Sequence, residues 1–294
     1  MKYIPSYLKI QKKLKLNQYT WLITGVAGFI GSNILSELLM HGQKVIGIDN
    51  LSTGRSENLE IIKSNFPKNK WKNFLFIKGD INNFDFSKIK KIDFVLHQAA
   101  RGSVIRSILD PLSTNKDNVD GFLKIINFSR LRKVKSFTYA SSSSVYGDSK
   151  ILPKKEIHKG NLLSNYALTK SINEMYADVF FRQYKFKSIG LRYFNVFGKF
   201  QNPEGEYAAV IPRWIKKAIN GKDIHIYGDG KTSRDFTPVI NVVYANLSSA
   251  LIKLKPNNYV FNVGNEGKVS LNYLVKLILK YSNKNPKKIK LIYK

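Results

Sequence analysis

The chain has 294 residues and 43% hydrophobic content, enough to bury a substantial core and to form a large α/β domain with a smaller lobe. It contains no cysteine, and its four histidines lack ligand spacing, so disulfides, thiolate chemistry and a bound metal are not expected. The formal charge of +29 attracts polyanions in general, but only nine of the 49 basic residues are arginine and the lysines are dispersed, so we expect no specific nucleic-acid partner.

Residues 1–19 form a lysine-rich arm before the first predicted strand, and this arm has no uninterrupted apolar stretch. No later segment reaches the roughly 20 apolar residues that a membrane-spanning helix needs. The sequence therefore predicts no membrane insertion and, by default, a cytoplasmic location.

From residue 20 onward, short apolar runs alternate with helical patterns, which is typical of a doubly wound parallel sheet, the Rossmann fold. Strands are predicted at 20–24, 44–49, 73–77, 92–97, 135–140 and 187–193, and helices at 29–41, 57–64, about 111–130 and 165–184. Residues 20–194 would form this α/β domain.

The pattern changes after residue 194, where shorter elements are separated by turns. Helical patches are predicted at 208–219, 241–254 and 270–282, and residues 195–294 are predicted to form the smaller lobe. A run at 258–263 is predicted to return to the main sheet as a further strand. The two parts would then be interleaved in the fold.

Three glycines, Gly25, Gly28 and Gly31, join the first predicted strand to the first helical pattern, and Phe29 and Ile30 lie between the last two. Glycine permits a tight turn in which backbone N–H groups approach an anion, and the helix that follows points its positive end at the same place. This turn predicts a site for the pyrophosphate of a dinucleotide.

The second predicted strand ends in Asp49, eighteen residues after Gly31. A carboxylate at this position can accept both hydroxyls of the adenosine ribose, and it would repel a 2′-phosphate. The sequence therefore predicts that the cofactor is NAD rather than NADP.

A hydroxyl, a phenol and an ammonium group are predicted to converge after the fifth strand. Ser142 lies at the end of that strand, and Tyr166 and Lys170, four residues apart, share one face of the next helix. Tyr166 would take the proton of a substrate alcohol while a hydride passes to the nicotinamide, and Ser142 would hydrogen-bond the reacting oxygen. The ammonium and the positive nicotinamide would favour the phenolate.

The pattern Tyr-x-x-x-Lys alone is weak evidence because it occurs three times, at Tyr146, Tyr166 and Tyr227. The first and third tyrosines precede Gly-Asp turns, whereas Tyr166 opens an uninterrupted helical stretch. Only Tyr166 can use the spacing of one helical turn. The alternative, a core tyrosine beside a flexible serine loop, is disfavoured because the glycine turn is already present.

Six groups of residues resemble the extended short-chain dehydrogenase/reductases, specifically the sugar-nucleotide epimerases. They are Thr-Gly-Val-Ala-Gly-Phe-Ile-Gly-Ser-Asn at 24–33, Gly-Asp-Ile at 79–81, His-Gln-Ala-Ala at 97–100, Ser142 with Tyr166 and Lys170, Leu-Arg-Tyr-Phe-Asn-Val-Phe-Gly at 191–198, and Ser-Arg-Asp-Phe at 233–236. The resemblance runs from about Thr20 to Tyr293. It is closest to the 4-epimerases of UDP-N-acetylglucosamine, or of its uronic acid, in bacterial polysaccharide synthesis, including the arm and the segment 207–212.

The resemblance implies further binding residues on this chain. Besides the glycine turn, Asp49, Tyr166 and Lys170, it places cofactor contacts at Asn50, Ser52, Gly54, Asp80, Ile81, Ala99, Ala100, Asn118 and Tyr193. It places substrate contacts at Gly102, Ser103, Ser142, Ser143, Tyr166, Asn195, Ala209, Val210 and Arg234. Asn195 and Arg234 would hold the sugar diphosphate, and the small side chains at 102, 103 and 209 would leave space for an N-acetyl group.

The resemblance also implies a reaction cycle and an assembly. In this cycle NAD oxidises C4 of a UDP-sugar, the 4-keto ring turns over, and the hydride returns to the opposite face. The helices near 111–130 and 165–184 would pair across a two-fold axis, so we expect a homodimer.

Alternatives stay open at this point. Family members that act as 4,6-dehydratases carry Asp-Glu where this chain has Ser143 and Ser144, and a reductase that uses NADPH is disfavoured by Asp49. Family members also continue beyond the point where this chain stops, with an Arg-x-Gly-Asp segment. We therefore expect an incomplete substrate lobe, and a truncated, non-catalytic relative that binds sugar nucleotides is a further interpretation.

Overall fold

A seven-stranded parallel sheet forms the centre of the structure, a computed structural model that describes residues 4–204, 209–282 and 289–294. The strands are β1 Thr20–Thr24, β2 Lys44–Asp49, β3 Phe74–Lys78, β4 Phe94–His97, β5 Ser136–Ser142, β6 Ser188–Tyr193, β7 Val196–Phe197, β8 Ile224–Ile226, β9 Ser233–Arg234, β10 Thr237–Pro238, β11 Asn258–Val263, β12 Val269–Ser270 and β13 Leu291–Tyr293. The sheet order is β11-β6-β5-β4-β1-β2-β3. Because the order reverses between β1 and β4, a crevice forms there at the carboxyl ends of the strands. The predicted Rossmann fold is confirmed.

Helices cover both faces of this sheet. They are α1 Ile4–Leu16, α2 Phe29–Met40, α3 Ser56–Asn65, α4 Lys68–Trp71, α5 Val104–Leu109, α6 Pro111–Asn115, α7 Gly121–Leu131, α8 Asn165–Tyr184, α9 Val210–Ile219, α10 Val239–Leu251 and α11 Leu271–Tyr281. Along β1, Trp21 and Ile23 pack into the core under α2 and α10, whereas Leu22 packs into the core under α7 and α8. The central strands are apolar on both faces because helices cover both of them.

The helix predicted at about 111–130 is confirmed, because residues 111–131 are helical without a break. Its hydrogen-bond pattern was not predicted: the structure has α6, then a π-helical turn at Lys116–Asp120, then α7. Asp110 caps the start of α6 by accepting a hydrogen bond from the Ser113 N–H, and Pro111 follows at the first helical position. Asn118 lies within this π-helical turn, and its Oδ1 accepts from the Arg101 N–H in the loop that follows β4.

The N-terminal arm contains a helix that the sequence pattern did not predict. The α1 helix packs on α10, where the Tyr7 hydroxyl donates to Asn241 Oδ1 at 2.8 Å and the Lys13 ammonium donates to the Leu251 carbonyl at 2.6 Å. The centres of the Tyr7 and Tyr244 rings lie 4.0 Å apart. These tertiary contacts stabilise a lysine-rich segment that has little helical signal of its own.

The C-terminal part of the chain returns to the main sheet. The strand predicted at 258–263 is present as β11, which pairs in parallel with β6. A further strand, β13, was not predicted and pairs in parallel with β8. Strands β8 and β13 and helices α9 and α11 enclose a small separate core that contains Trp214, Ile226 and Ile278. The division of the chain at 194/195 stays a prediction.

Within the described ranges, no helix is long and apolar enough to cross a bilayer. Over the same part of the chain, no group of three or more histidine or carboxylate side chains is arranged to hold a metal ion.

Candidate active site

A cleft of about 530 Å³ opens at the carboxyl ends of the central strands. Most of the residues predicted from the sequence line it: Gly25, Gly28, Phe29, Ile30, Gly31, Asp49, Asn50, Ser52, Gly54, Asp80, Ile81, Ala99, Ala100, Gly102, Ser142, Ser143, Tyr166, Lys170, Tyr193 and Asn195. The fold therefore brings the glycine turn and the Ser-Tyr-Lys group into one cavity.

The glycine turn passes very close to the loop that follows β4. Gly25 has φ +72°, and a Cβ on it would lie 2.7 Å from the Ala99 nitrogen. A Cβ on Gly31 would overlap the Gly25 carbonyl. The Gly25 N–H donates to the Ile48 carbonyl at 2.8 Å, which holds the turn against the end of β2. The turn thus forms a cradle without side chains at the start of α2, and this cradle suits a pyrophosphate.

Asp49 is anchored beside this cradle. Its Oδ2 accepts from the Ala27 N–H at 2.9 Å and its Oδ1 from the Leu51 N–H at 2.8 Å. Burial raises the pKa of Asp49, and these backbone donors oppose that shift. A carboxylate offers about four acceptor sites, so Asp49 keeps capacity for a ribose hydroxyl beside these backbone donors. Gly54 leaves room there, since a Cβ on it would lie 2.7 Å from Asp49 Oδ1.

Asp80 lies on the same side of the cleft as Asp49. Its Oδ2 accepts from the Asn50 amide at 3.1 Å and its Oδ1 from the Asn82 N–H at 2.8 Å. Partial burial acts to raise the pKa of Asp80, but these two donors and the nearby Lys116 charge bring the net shift below the usual value. Asp80 is therefore ionised at neutral pH.

Asn118 lies behind the cleft wall and supports it. Its Oδ1 accepts from the Arg101 N–H at 2.7 Å, and its Nδ2 donates to Thr169 Oγ1 at 3.0 Å. Asn118 therefore ties the loop after β4, which carries Ala99 and Ala100, to helix α8.

Tyr166 and Lys170 are set by the first turns of α8. The Ser164 hydroxyl caps this helix by accepting from the Ala167 N–H at 3.1 Å, and the Tyr166 N–H donates to Ser107 Oγ at 3.0 Å. The Lys170 ammonium lies 5.9 Å from the centre of the Tyr166 ring and donates to the Ala140 carbonyl at 2.8 Å. These contacts orient both side chains toward the end of β5.

Ser142 completes this group at the end of β5. Its Oγ accepts from the Ser144 N–H at 3.1 Å and donates to Ser144 Oγ at 3.0 Å, and Ser142 lines the cleft together with Tyr166 and Lys170. Serine, phenol and ammonium thus meet in the cleft as the sequence pattern predicts.

The electrostatics of this group differ in one respect from the expectation. Burial raises the pKa of Tyr166, and the nearby Ser142 hydroxyl only partly opposes this shift. Burial also lowers the pKa of Lys170 to about 8. His97 stays neutral, because burial and then the Lys170 charge lower its pKa to about 3. The chain by itself therefore keeps Tyr166 protonated at neutral pH, and its conversion to phenolate needs a further positive charge in the cleft.

Four predicted substrate residues, Ser103, Ala209, Val210 and Arg234, do not line this cleft. Ser103 caps α5 by accepting from the Arg106 N–H at 3.2 Å, and Ala209 precedes α9. Arg234 is exposed on β9, where its guanidinium donates to the Ser233 carbonyl at 2.9 Å. The last three belong to the predicted smaller lobe. Residues 207 and 208, which begin the segment 207–212 of the resemblance and the helix predicted at 208–219, lie outside the described residues. The substrate roles of all four stay predictions.

Sequence reasoning missed other residues that line the cleft, notably Gln98, Arg101, Asp117 and Gln201. Gln98 Oε1 accepts from the Tyr193 hydroxyl at 3.0 Å, and Arg101 Nε donates to Asp117 Oδ2 at 2.5 Å. Gln98 lies within the recognised stretch 97–100, and Arg101 follows it directly, so these two could have been found. Gln201 gave no such signal.

Comparisons with known proteins agree with this geometry. Residues 21–264 match the model of the NAD dependent epimerase/dehydratase family. A putative UDP-glucose 4-epimerase of Methanocaldococcus jannaschii is 36% identical over 87% of this chain and 80% of its own length. Among solved structures, a UDP-N-acetylglucosamine 4-epimerase from Methanobrevibacter ruminantium M1, in complex with UDP-N-acetylmuramic acid, has a TM-score of 0.86 and 36% identity, over 95% of this chain and 86% of that one.

A further solved structure bears on the cofactor. A UDP-glucose 4-epimerase of Thermus thermophilus, in complex with NAD, has a TM-score of 0.77 and 29% identity, over 92% of this chain and 85% of that one. The side-chain-free cradle at Gly25 and Gly31 and the anchored carboxylate of Asp49 fit the same cofactor. The chain therefore belongs to the NAD-dependent epimerase/dehydratase family of extended short-chain dehydrogenase/reductases, and its cofactor is NAD.

Proposed function

We propose that this chain is an NAD-dependent 4-epimerase of a UDP-N-acetylhexosamine or of its uronic acid. The observation that carries the proposal is the meeting of Ser142, Tyr166 and Lys170 in the same cleft as the glycine turn and Asp49. This arrangement places an acid–base group for a sugar alcohol within one cavity with a dinucleotide site.

The chain's own residues perform the proton transfer. When bound, NAD supplies an acceptor for the hydride of C4 and later returns it. Tyr166 removes the proton of the C4 hydroxyl as a phenolate, and Ser142 donates a hydrogen bond to the same oxygen. Because burial raises the pKa of Tyr166, the phenolate forms only when the Lys170 ammonium and the positive nicotinamide act together. The base is therefore active in the loaded enzyme.

Two lines of support favour an N-acetylated sugar as substrate. Gly102 and Ser143 line the cleft with small groups, and Ser103 and Ala209 are predicted to extend this small surface. The solved relative from Methanobrevibacter ruminantium is a UDP-N-acetylglucosamine 4-epimerase. We propose that Asn195, which lines the cleft, and the exposed Arg234 contact the diphosphate.

A 4,6-dehydratase is the second candidate, and the end of β5 argues against it. Ser143 and Ser144 begin a short 3₁₀ turn in the cleft, at the positions where dehydratases carry an acid pair. A hydroxyl is a poor general acid or base at neutral pH, so elimination of water across C5 and C6 lacks its catalysts.

We also propose that two copies associate through one helical face. Large apolar side chains are exposed on α5, α6 and α8: Val104, Ile105, Ile108, Leu109, Leu112, Leu168, Met175 and Val179. The helices near 111–130 and 165–184, which include α6 and α8, are predicted to meet their own copies across a two-fold axis, and α5 lies beside them. An exposed apolar face of this kind favours such pairing.

The proposal is tested by incubating the purified protein with UDP-N-acetylglucosamine and NAD and resolving the nucleotide sugars by chromatography. We expect UDP-N-acetylgalactosamine from the wild type, none from Tyr166→Phe, and normal amounts from Tyr176→Phe, which changes a partly buried tyrosine of the same helix outside the cleft. Reaction of the uronic acid alone would select that substrate. A 4-keto-6-deoxy product would support the dehydratase instead, and bound NAD without turnover of either sugar would support a non-catalytic relative.

A further inference from the structure

Resting on this proposed function, we propose that Glu174 is a positioning residue for the reaction. It holds helix α8 against the end of β5, so that Tyr166 and Lys170 of the helix meet Ser142 of the strand. Glu174 itself lies outside the cleft and acts through these residues.

Glu174 is the acceptor at the centre of a buried polar cluster and is only 5% exposed. Its Oε1 accepts from Ser141 Oγ at 2.7 Å and from Arg192 Nε at 2.9 Å. Its Oε2 accepts from Arg192 Nη2 and from Lys159 Nζ, each at 2.8 Å. Burial alone would raise the pKa of Glu174, but the Arg192 and Lys159 bonds bring it below its usual value, so the carboxylate is ionised.

Two contacts one helical turn apart fix α8 on β5. Lys170 donates to the carbonyl of Ala140, and Glu174 accepts from the hydroxyl of Ser141, the next residue of the strand. One contact would leave the helix free to rotate or slide, whereas two contacts at i and i+4 limit both movements. Since Ser141 directly precedes Ser142, the same bond holds the strand end that carries the hydroxyl of the candidate site.

The cluster reaches a second strand and the loop that follows β5. On β6, Arg192 directly precedes Tyr193, which lines the cleft. In the loop, the Glu156 carbonyl accepts from Arg192 Nη1 at 2.9 Å. The Arg192 guanidinium also lies 4.9 Å from the centre of the Tyr146 ring. Glu174 thus joins α8, β5, β6 and this loop at one carboxylate, directly behind the candidate catalytic group.

A purely structural role is the competing explanation, because a buried ion pair is weak evidence for stability and removal of one partner leaves the other charge unpaired. Two variants separate the explanations. Glu174→Gln keeps the size of the side chain and an acceptor for Ser141 but loses the charge. Ser141→Ala removes the bond from Glu174 to the strand, at a residue whose hydroxyl is engaged by Glu174 and whose position lines the cleft, and leaves the Glu174–Arg192 pair in place. Ser188→Ala is the matched control, because Ser188 is equally buried and donates to Asn258 Oδ1 at 3.1 Å, at the opposite end of β6 from the cleft.

The experiment measures kcat, KM and the pH profile of epimerisation for these variants in the NAD-loaded protein. We expect kcat to fall about 10- to 100-fold in Glu174→Gln and about tenfold in Ser141→Ala, with KM within about twofold, since small misplacements of reacting groups cost this much. The acid limb of the kcat profile should move to higher pH by about half a unit or more, because Ser142 and Lys170 then stabilise the phenolate less well. Ser188→Ala should match the wild type in all three.

The proposal is overturned if Glu174→Gln and Ser141→Ala lower only the melting temperature and keep the wild-type kcat and pH profile, or if Ser188→Ala has the same kinetic effect. Should the wild type turn over neither nucleotide sugar, the proposed function fails, and a second measurement still decides the role of Glu174. This measurement is the ultraviolet titration of Tyr166 with NAD bound, and it needs no substrate. For the wild type and for each variant, the Tyr166 signal is the difference from the same protein carrying Tyr166→Phe. An upward shift in Ser141→Ala supports positioning, and an unchanged titration contradicts it.

Discussion

The tight approach of the glycine turn to the loop after β4 leads to a prediction about Gly25→Ala. The new Cβ would lie 2.7 Å from the Ala99 nitrogen and 2.8 Å from its Cα, against 3.4 Å or more for ordinary contacts. Both atoms belong to backbone, so a rotamer change cannot relieve the clash. In addition, φ is +72° at Gly25, and the left-handed conformation costs a residue with a Cβ about 1–2 kcal/mol.

Gly42→Ala is the matched control for this substitution. Gly42 has φ +67°, nearly the same conformation, but a Cβ there meets no atom within 4 Å. It therefore isolates the conformational cost from the clash. We expect Gly42→Ala to lower the free energy of unfolding by about 1–2 kcal/mol and to leave NAD affinity unchanged.

Gly25→Ala should lower the free energy of unfolding further and weaken NAD binding at least tenfold, or about 1.4 kcal/mol, because the turn and the loop must separate at the cofactor site. Urea unfolding and calorimetric NAD titration measure the two quantities. The reasoning is refuted if Gly25→Ala binds NAD as tightly as the wild type, or if Gly42→Ala weakens NAD binding to the same extent.

Three further predictions concern charge, pH and assembly. Asp49→Asn should weaken NAD binding about tenfold in calorimetry, because it removes a charged acceptor for the ribose, and unchanged affinity would contradict this role. The pKa of His97 is about 3 in the folded chain and about 6.5 in the unfolded chain. Between these two pH values the unfolded chain therefore binds a proton at His97 that the folded chain excludes. Stability should therefore fall as the pH is lowered across this window by about 1.4 kcal/mol per unit, and His97→Gln should show a shallower slope in urea unfolding from pH 7 to pH 4. Leu112→Glu, at a side chain that is 83% exposed on the proposed contact face, should shift a dimer to monomer in size-exclusion chromatography with light scattering. Leu16→Glu changes another exposed leucine, away from that face, and should leave the dimer intact. If both variants elute as dimers, the interface lies elsewhere.

The strand positions of the central sheet could be predicted closely from sequence. Predicted and observed strands differ by no more than two residues at either end, as in 92–97 against Phe94–His97 and 135–140 against Ser136–Ser142. Strands that are buried on both faces appear as short continuous apolar runs, and this signal is entirely local.

The features that the sequence did not predict depend on contacts between distant segments. The π-helical turn within the helix predicted at 111–130 is associated with the contacts of Asn118 to Arg101 and Thr169, which come from two other elements. Helix α1 has a partner for Tyr7 at Asn241, 234 residues away. Local helical periodicity holds no information about either contact.

The same distinction applies to the candidate site. The sequence by itself determined the glycine turn, Asp49 and the spacing of Tyr166 and Lys170, because each requirement is met within a few residues of chain. Only the tertiary structure decided that these groups share one cleft, that burial raises the pKa of Tyr166, and that Glu174 joins β5, β6 and α8. Burial and hydrogen-bond partners depend on which elements pack together, and packing joins residues that no short motif contains.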